Sequence, residues 1–227
     1  MADRVVLVRH GETAWSSTRR HTGRTDIPLN DEGRRLAAAL QPVLAGITGI
    51  EDAVVLTSPL QRARDTCALA GLGDRATVSA DLVEWDYGEA EGKRTAEYRE
   101  HIPDWSVWTH RLARGESLAD VAARADRLLA SIAAERRLVV MFAHAHVLRI
   151  LAVRWCGLDP LAGRLFMLDP ASVSILGHER EVRCIERWNV VTTGDLERFI
   201  GVTPTPRSGP TSRLGTAAPP AAPSTAS

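Results

Sequence analysis

The most informative part of this sequence is the stretch Val5-Val6-Leu7-Val8-Arg9-His10-Gly11-Glu12-Thr13. Its first four residues are apolar and three of them are β-branched, which predicts a buried strand. The apolar run ends in a cationic and an imidazole side chain, Arg9 and His10, and Gly11 follows. Open α/β sheets bind their ligands outside the carboxyl ends of their strands. The stretch therefore predicts an anion site at the edge of a sheet.

The order Arg9, His10, Gly11 also predicts where the strand ends. Side chains alternate between the two faces of a strand, so Arg9 and His10 can share one ligand only if the strand ends between them. Gly11 is expected to permit the turn at that point, because glycine adopts backbone conformations that other residues avoid.

The composition excludes several classes of protein. Hydrophobic residues make up 44% and charged residues 25% of the 227 residues, which is enough for a sizeable core. The 28 basic and 28 acidic residues balance, so no overall field favours nucleic acid or a membrane surface as a partner. Lys93 is the only lysine, and any anion site must therefore use arginine, whose guanidinium binds in a bidentate manner.

The cysteines and the N-terminus predict a cytoplasmic protein. Cys67, Cys156 and Cys184 are widely spaced and lack the pairing of a metal site, which is typical of reduced thiols. The N-terminus lacks the apolar region of a signal peptide. The apolar runs are shorter than the roughly 18–20 residues that a membrane span needs.

Residues 1–202 are predicted to form one catalytic domain. Residues 203–227 are rich in Pro, Ala, Ser and Thr, cannot bury enough apolar surface to fold, and are predicted to be a disordered tail.

Strand and helix signals alternate within the domain. Strands are predicted at 54–57 and 138–142, with shorter ones at 172–176 and 182–185. Helices are predicted from an Asn30 cap to about 45, from Ser58-Pro59 to about 71, from a Ser117 cap to about 136, and over about 147–156 with Gly157 after it. This order predicts a three-layer α/β/α sandwich around a mostly parallel sheet.

Two of the other predicted strands also end in residues suited to a phosphate. Arg62 follows strand 54–57, in the first turn of a helix whose amides and dipole favour an anion. His144 follows strand 138–142. Taken singly, Arg62 is typical of a solvated helix surface and His144 of a hydrogen-bonded core histidine. Three such strand ends together favour one pocket, containing Arg9, His10, Arg62 and His144.

This set of residues suits phosphoryl transfer. Two guanidiniums can clamp a phosphoryl group while one imidazole, kept neutral by the nearby arginines, attacks phosphorus to form a phosphohistidine. Glu84 lies between Val83 and Trp85, an apolar setting that favours the protonated carboxyl of a general acid. Glu89 and Glu91 lie in a Gly-flanked loop and are expected to be solvated.

These motifs, in order along the chain, resemble the histidine phosphatase superfamily in its phosphoglycerate mutase-like branch. The resemblance rests on residues 9–15, on Thr22-Gly23-Arg24-Thr25-Asp26-Ile27-Pro28-Leu29, on Ser58-Pro59-Leu60-Gln61-Arg62-Ala63 and on the Glu84 segment. It implies that His10 is the phosphorylated nucleophile and Glu84 the proton donor. It further implies that Arg9, Arg62 and His144 bind the phosphate, that Thr22 and Gly23 line the entrance, and that neither a metal nor a cofactor takes part.

Two positions depart from the family pattern. Ala145 stands after His144 where the family usually has Gly, and His146 is an alternative candidate for the second histidine. Ser16 follows Trp15 where the mutases carry Asn, so phosphate contact there is expected to be shorter or to pass through water.

The resemblance favours an acid phosphatase-like member that hydrolyses small phosphomonoesters such as sugar phosphates. The segment between Glu84 and His144 lacks the large basic insertion that covers the site in the mutases. Phosphoglycerate mutase-type transfer and a non-catalytic module that binds phosphorylated ligands are the alternatives. The segment also contains four arginines that could contact a second anionic group and are otherwise expected to be solvated. They are Arg94, Arg99, Arg111 and Arg114. A homodimer through an edge of the sheet is a further hypothesis.

Overall fold

The computed structural model describes residues 4–191, in which six strands form one sheet. The strands in chain order are β1 (Val5–Arg9), β2 (Val54–Thr57), β3 (Ala76–Val78), β4 (Val139–Ala143), β5 (Val173–Glu179) and β6 (Val182–Val190). Their order across the sheet is β3-β2-β4-β1-β5-β6. The pairs among β1 to β4 are parallel, whereas β5 is antiparallel to both β1 and β6. The prediction of a mostly parallel sheet is confirmed.

Helices cover both faces of this sheet. The α-helices in chain order are α1 (Ala14–Ser17), α2 (Asp31–Ala45), α3 (Gln61–Leu69), α4 (Thr95–Arg99), α5 (Leu118–Ser131) and α6 (Ala145–Trp155). On one face Val5 and Leu7 of β1 join a core cluster with residues of α5 and α6. On the other face Val6 and Val8 join a cluster with residues of α2 and α3. The alternation of β1 side chains between two apolar layers confirms the three-layer sandwich.

Most predicted element starts are confirmed, but α3 begins later than the sequence suggests. Asn30 caps α2 by accepting a hydrogen bond from the Gly33 amide at 2.7 Å, and Ser117 caps α5. Ser58 was expected to cap α3, which begins only at Gln61. The reason is that the Ser58 amide still donates to the Phe142 carbonyl at 2.9 Å, so the chain leaves the sheet one residue later. Helix α5 ends at Ser131, earlier than predicted.

The C-terminal half of the sheet also differs in detail. Strands β5 and β6 are longer than predicted and form an antiparallel hairpin. The edge strand β3 was not predicted, because its three residues are largely exposed and carry little apolar pattern. The described residues end within the predicted domain 1–202, and the predicted tail at 203–227 lies outside them. Among residues 4–191, none of the helices has the length and apolar character needed to span a membrane.

The end of β1 is where the sequence predicts it, but Gly11 has another role there. The strand ends at Arg9, as expected. Gly11 is not among the glycines with positive φ. A Cβ atom on Gly11 would overlap the carbonyl oxygen of Gly33, and one on Gly33 would overlap the backbone of Glu12. Glycine is therefore needed for the close approach of this loop to the first turn of α2, and not for an unusual turn.

Candidate active site

A cavity of about 480 Å³ opens at the carboxyl ends of β1 and β4. The predicted site residues that border it are Arg9, His10, Ser16, Thr22 and Glu84. The other three predicted site residues, Gly23, Arg62 and His144, are not among its lining residues, and the last two are fully buried. The structure therefore divides the predicted site into a cavity wall and a layer behind it.

His10 is held as a neutral imidazole with one free nitrogen. Its ring is almost fully buried, and Nδ1 lies 2.7 Å from the Gly11 carbonyl oxygen. A carbonyl can only accept, so the proton is on Nδ1 and the lone pair is on Nε2. Burial, and next the charges of Arg62 and Arg9, lower the pKa of His10 well below its usual value. The neutral form predicted from the sequence is confirmed, although burial contributes more than the arginines.

His144 lies behind His10 with the opposite tautomer. The two ring centroids are 5.1 Å apart. Arg62 Nε donates to His144 Nδ1 at 3.1 Å, so the His144 proton is on Nε2, which donates to Ser58 Oγ at 2.8 Å. Burial, followed by the charge of Arg62, lowers the pKa of His144 well below its usual value. The ring is therefore neutral and fixed at both nitrogens.

Arg62 is a buried cross-link between α3 and the loop that carries Thr22 and Gly23. Its guanidinium donates to the carbonyl oxygens of Thr22 at 3.1 Å, Gly23 at 2.9 Å and Thr25 at 2.9 Å. The alternative of a solvated Arg62 is wrong, since the side chain is fully buried. Its guanidinium lies under the loop and supplies positive charge to His10 and His144 from there.

Arg9 is the guanidinium that borders both the cavity and His10. One of its terminal nitrogens donates to the Leu168 carbonyl oxygen. Its Nε is buried and has no hydrogen-bond partner among residues 4–191. A buried donor without a partner is costly, so the Arg9 guanidinium has an unused donor next to the cavity wall.

The Glu84 carboxylate is fixed at the first turn of α6. It accepts hydrogen bonds from the backbone amides of Trp85 at 2.9 Å, His146 at 3.0 Å and Val147 at 3.0 Å. Arg124 donates to the carbonyl of the preceding Val83 at 2.9 Å and holds this segment against α5. The surroundings of Glu84 are therefore more polar than its two apolar sequence neighbours suggest, and its orientation is set by backbone donors.

The remaining predicted contacts are only partly available to a ligand. The Gly23 amide donates to the Glu91 carboxylate at 2.9 Å, so this amide is not free to bind a ligand. The same hydrogen bond shows that the expectation of a solvated Glu91 is wrong. Thr22 and Ser16 border the cavity. The Ser16 hydroxyl bonds to Thr13, whose side chain caps α1.

The buried Tyr87 and the partly buried His146 form a second pair on the cavity wall that sequence reasoning did not assign. Tyr87 Oη lies 2.6 Å from His146 Nδ1. Burial and the charge of Glu84 raise the pKa of Tyr87 well above its usual value, so the hydroxyl stays protonated and donates. His146 is consequently protonated at Nε2. It is held by Tyr87 and by the Trp108 ring at 5.0 Å, and it does not replace His144 next to His10.

Other lining residues had no recognisable signal in the sequence. They include Arg19, Arg20, His21 and Asp169. Within residues 4–191 no group of three or more His, Cys, Asp or Glu side chains is arranged to hold a metal ion.

Comparison with known proteins identifies the family. The sequence profile of the histidine phosphatase superfamily (branch 1) matches residues 5–191. An acid phosphatase of Mycobacterium tuberculosis is 44% identical over 183 residues, covering 79% of this chain and 89% of that protein. Sedoheptulose 1,7-bisphosphatase of Saccharomyces cerevisiae is 32% identical over 187 residues, covering 70% of this chain and 69% of that protein.

The fold comparison agrees. The solved structure of the Mycobacterium tuberculosis open reading frame Rv3214 matches with a TM-score of 0.80 at 40% identity, covering 85% of this chain and 100% of that one. The family, fold and enzyme class expected from the motifs are confirmed. The chain belongs to branch 1 of the histidine phosphatase superfamily and is a phosphatase.

Proposed function

We propose that this enzyme hydrolyses small phosphomonoesters, such as sugar phosphates and similar metabolites, through a phosphohistidine on His10. The observation that carries the proposal is the state of His10. It is neutral, its Nδ1 proton is bonded to the Gly11 carbonyl, and it borders the same cavity as Arg9 and Glu84. A nucleophile, a cation for the phosphoryl oxygens and a carboxyl group for the leaving oxygen are thus adjacent.

The proposed reaction has two balanced steps. In the first step His10 Nε2 attacks phosphorus, the bond to the ester oxygen breaks, and protonated Glu84 gives its proton to the departing alcohol. In the second step water attacks the phosphohistidine, the Glu84 carboxylate takes a proton from that water, and the nitrogen–phosphorus bond breaks to release phosphate. Arg9 neutralises charge on the phosphoryl oxygens in both steps.

Arg62 and His144 remain phosphate ligands in this proposal, with one condition. Their donors are bonded to the carbonyls of residues 22–25 and to Ser58 Oγ. A bound phosphate therefore has to replace one of these acceptors. A charged phosphate oxygen is a stronger acceptor than a carbonyl or a hydroxyl, which favours that exchange.

A substrate screen tests the proposal. Purified protein is incubated with a panel of phosphorylated metabolites, and both phosphate release and isomerisation of 3-phosphoglycerate are measured. The variant His10→Ala should lose at least about 10³-fold in activity. The matched control His101→Ala removes an exposed histidine and should leave activity unchanged. Isomerisation faster than phosphate release would favour a mutase. Turnover that survives in His10→Ala, or binding without any turnover, would contradict the proposal.

Several expectations from the sequence stay predictions. They concern the cytoplasmic location, the lack of nucleic acid and membrane partners, the independence from metals and cofactors, and the homodimer through an edge of the sheet.

A further inference from the structure

The cavity that contains His10 has a second cationic region. Arg19 and Arg20 border the same cavity as Arg9 and His10. They follow the short helix α1, whose Ser16 is also a lining residue. A ligand that reaches from His10 to this region would have both a phosphate contact and a second contact with guanidinium.

Arg19 is the better placed of the two cations to bind a ligand. Its side chain is exposed and makes no hydrogen bond or ion pair with any residue in the described part of the chain. Its backbone has a φ of 58°, in the left-handed region that is unfavourable for a residue with a Cβ. Arg20 is the next residue in the chain. It donates to the Gly92 carbonyl oxygen at 2.7 Å, which fixes its guanidinium.

The carboxylates of the cavity do not neutralise this region. Glu84 accepts three backbone amides, as described above. Asp169 accepts a hydrogen bond from Asn189 Nδ2 at 2.7 Å. Neither carboxylate forms an ion pair with Arg19 or Arg20 within residues 4–191. Outside the cavity, the charge of Arg20 contributes to lowering the pKa of Glu97, which partly offsets Arg20. Arg19 has no carboxylate partner among residues 4–191, so the region attracts an anion.

The arginines that the sequence offered for a second anion lie elsewhere. Arg94 pairs with Glu97, and Arg114 with Glu89. Arg99 donates to the Trp105 carbonyl at 3.0 Å. Arg111 borders a different cavity.

We propose that Arg19, together with Arg20, binds a second anionic group of the substrate. The preferred substrates are then bisphosphates or phosphorylated carboxylic acids, and neutral alcohol phosphates are poorer substrates. This inference rests on the proposed phosphomonoesterase function and specifies its substrate class. The second group is recognised as an oxyanion by a guanidinium, which phosphate and carboxylate share.

Matched substrate pairs test the inference. Fructose 1,6-bisphosphate is compared with fructose 6-phosphate, and 3-phosphoglycerate with glycerol 3-phosphate, so each pair differs in the second anionic group. The variant Arg19→Gly removes the guanidinium and suits the positive φ. The control Arg180→Gly changes another exposed arginine with a φ of 56° that is not a lining residue of this cavity.

The expected result is specific to the doubly anionic substrates. In Arg19→Gly their KM should rise about tenfold, while the KM of the singly phosphorylated partner and kcat change less than about twofold. Arg180→Gly should match the wild type. An effect on one pair only would tell whether phosphate or carboxylate is the second group. Equal effects of Arg19→Gly on both members of each pair would overturn the inference while leaving the phosphatase proposal intact. Lack of hydrolysis of every substrate by the wild type would instead overturn the proposed function.

Discussion

His10 and His144 occupy equivalent positions on neighbouring strands, and their rings lie 5.1 Å apart. The parallel register of β1 and β4 pairs Arg9 with Ala143, so each histidine is the first residue after its strand. His10 carries its proton on Nδ1 and His144 on Nε2, because their partners are a carbonyl and an arginine respectively. Both rings are neutral, so neither repels the arginines that surround them. The register of two strands thus positions His10, the proposed nucleophile, beside His144.

Replacing Arg62 should cost stability as well as activity. Arg62→Met leaves the carbonyls of Thr22, Gly23 and Thr25 without their donor and should lower the free energy of unfolding by about 3 kcal/mol. Urea unfolding measures this loss. Arg64→Met is the control on the same helix, because Arg64 is exposed, and should change stability by less than about 0.5 kcal/mol. Equal losses in both variants would show that the loop does not depend on Arg62.

The proposed role of Glu84 as general acid makes the effect of its replacement on the first step depend on the leaving group. Glu84→Gln cannot protonate the departing oxygen, so the rate of alcohol release in the first turnover should fall by about 10²–10⁴-fold for an alkyl phosphate. For p-nitrophenyl phosphate, whose leaving group needs no proton, the loss in the first turnover should be about tenfold or less. Glu89→Gln, an exposed carboxylate of the same segment, is the control. A loss that is the same for both substrates would rule out proton donation by Glu84.

The close approach of Gly11 and Gly33 predicts strongly different effects of three Gly→Ala changes. Gly11→Ala and Gly33→Ala place a Cβ against backbone atoms and should each lower stability by about 3 kcal/mol. Gly46→Ala, at the end of α2, places a Cβ 3.5 Å from the nearest atom and should be neutral. Thermal unfolding of the three variants checks this. A neutral Gly33→Ala would mean that the loop between β1 and α2 can move away.

The buried histidines should make stability fall with acid. Burial lowers the pKa of His21 to about 4 in the folded protein, whereas the pKa in the unfolded chain is about 6.5. Between these two pH values the unfolded chain binds a proton at His21 and the folded protein does not. Its folded state therefore binds fewer protons, so stability is complete above pH 6.5 and is lost by up to about 1.4 kcal/mol per pH unit as the pH falls toward 4. His10, His144 and His146 act in the same direction.

Urea unfolding between pH 7 and 4.5 separates the contribution of His21. His21→Gln should reduce the slope of stability against pH by the amount for one proton, and His101→Gln, at an exposed position, should not change it. The same slope in the wild type and His21→Gln would contradict the assignment.

The sequence was sufficient to predict the fold and the set of residues that meet at the candidate site, but not the hydrogen bonds of those residues. The apolar run before Arg9 and the Asn30 and Ser117 caps are local signals, so β1, α2 and α5 could be predicted. The burial of Arg62 could not, because it depends on three carbonyls of a loop about 40 residues away in the chain. The hydrogen bonds of Glu91 could not be predicted either, because their donors are the amides of Gly23 and Thr25, which are distant in the chain.

Two further features required the tertiary structure. Gly11 looked like a turn residue, but its constraint comes from Gly33, which packs against it from another element. Arg19 carries no motif, and only the path of the chain after α1 brings it to the cavity.

The most direct test of the covalent mechanism is to trap the phosphoryl group on the enzyme. The wild type is mixed with ³²P-labelled p-nitrophenyl phosphate, quenched within milliseconds in base, and analysed by mass spectrometry. The account predicts an acid-labile, base-stable label on His10 that appears and decays during turnover, is present in His101→Ala and is absent in His10→Ala. Steady turnover without any label at all quench times, or a label on another residue such as His146, would contradict it.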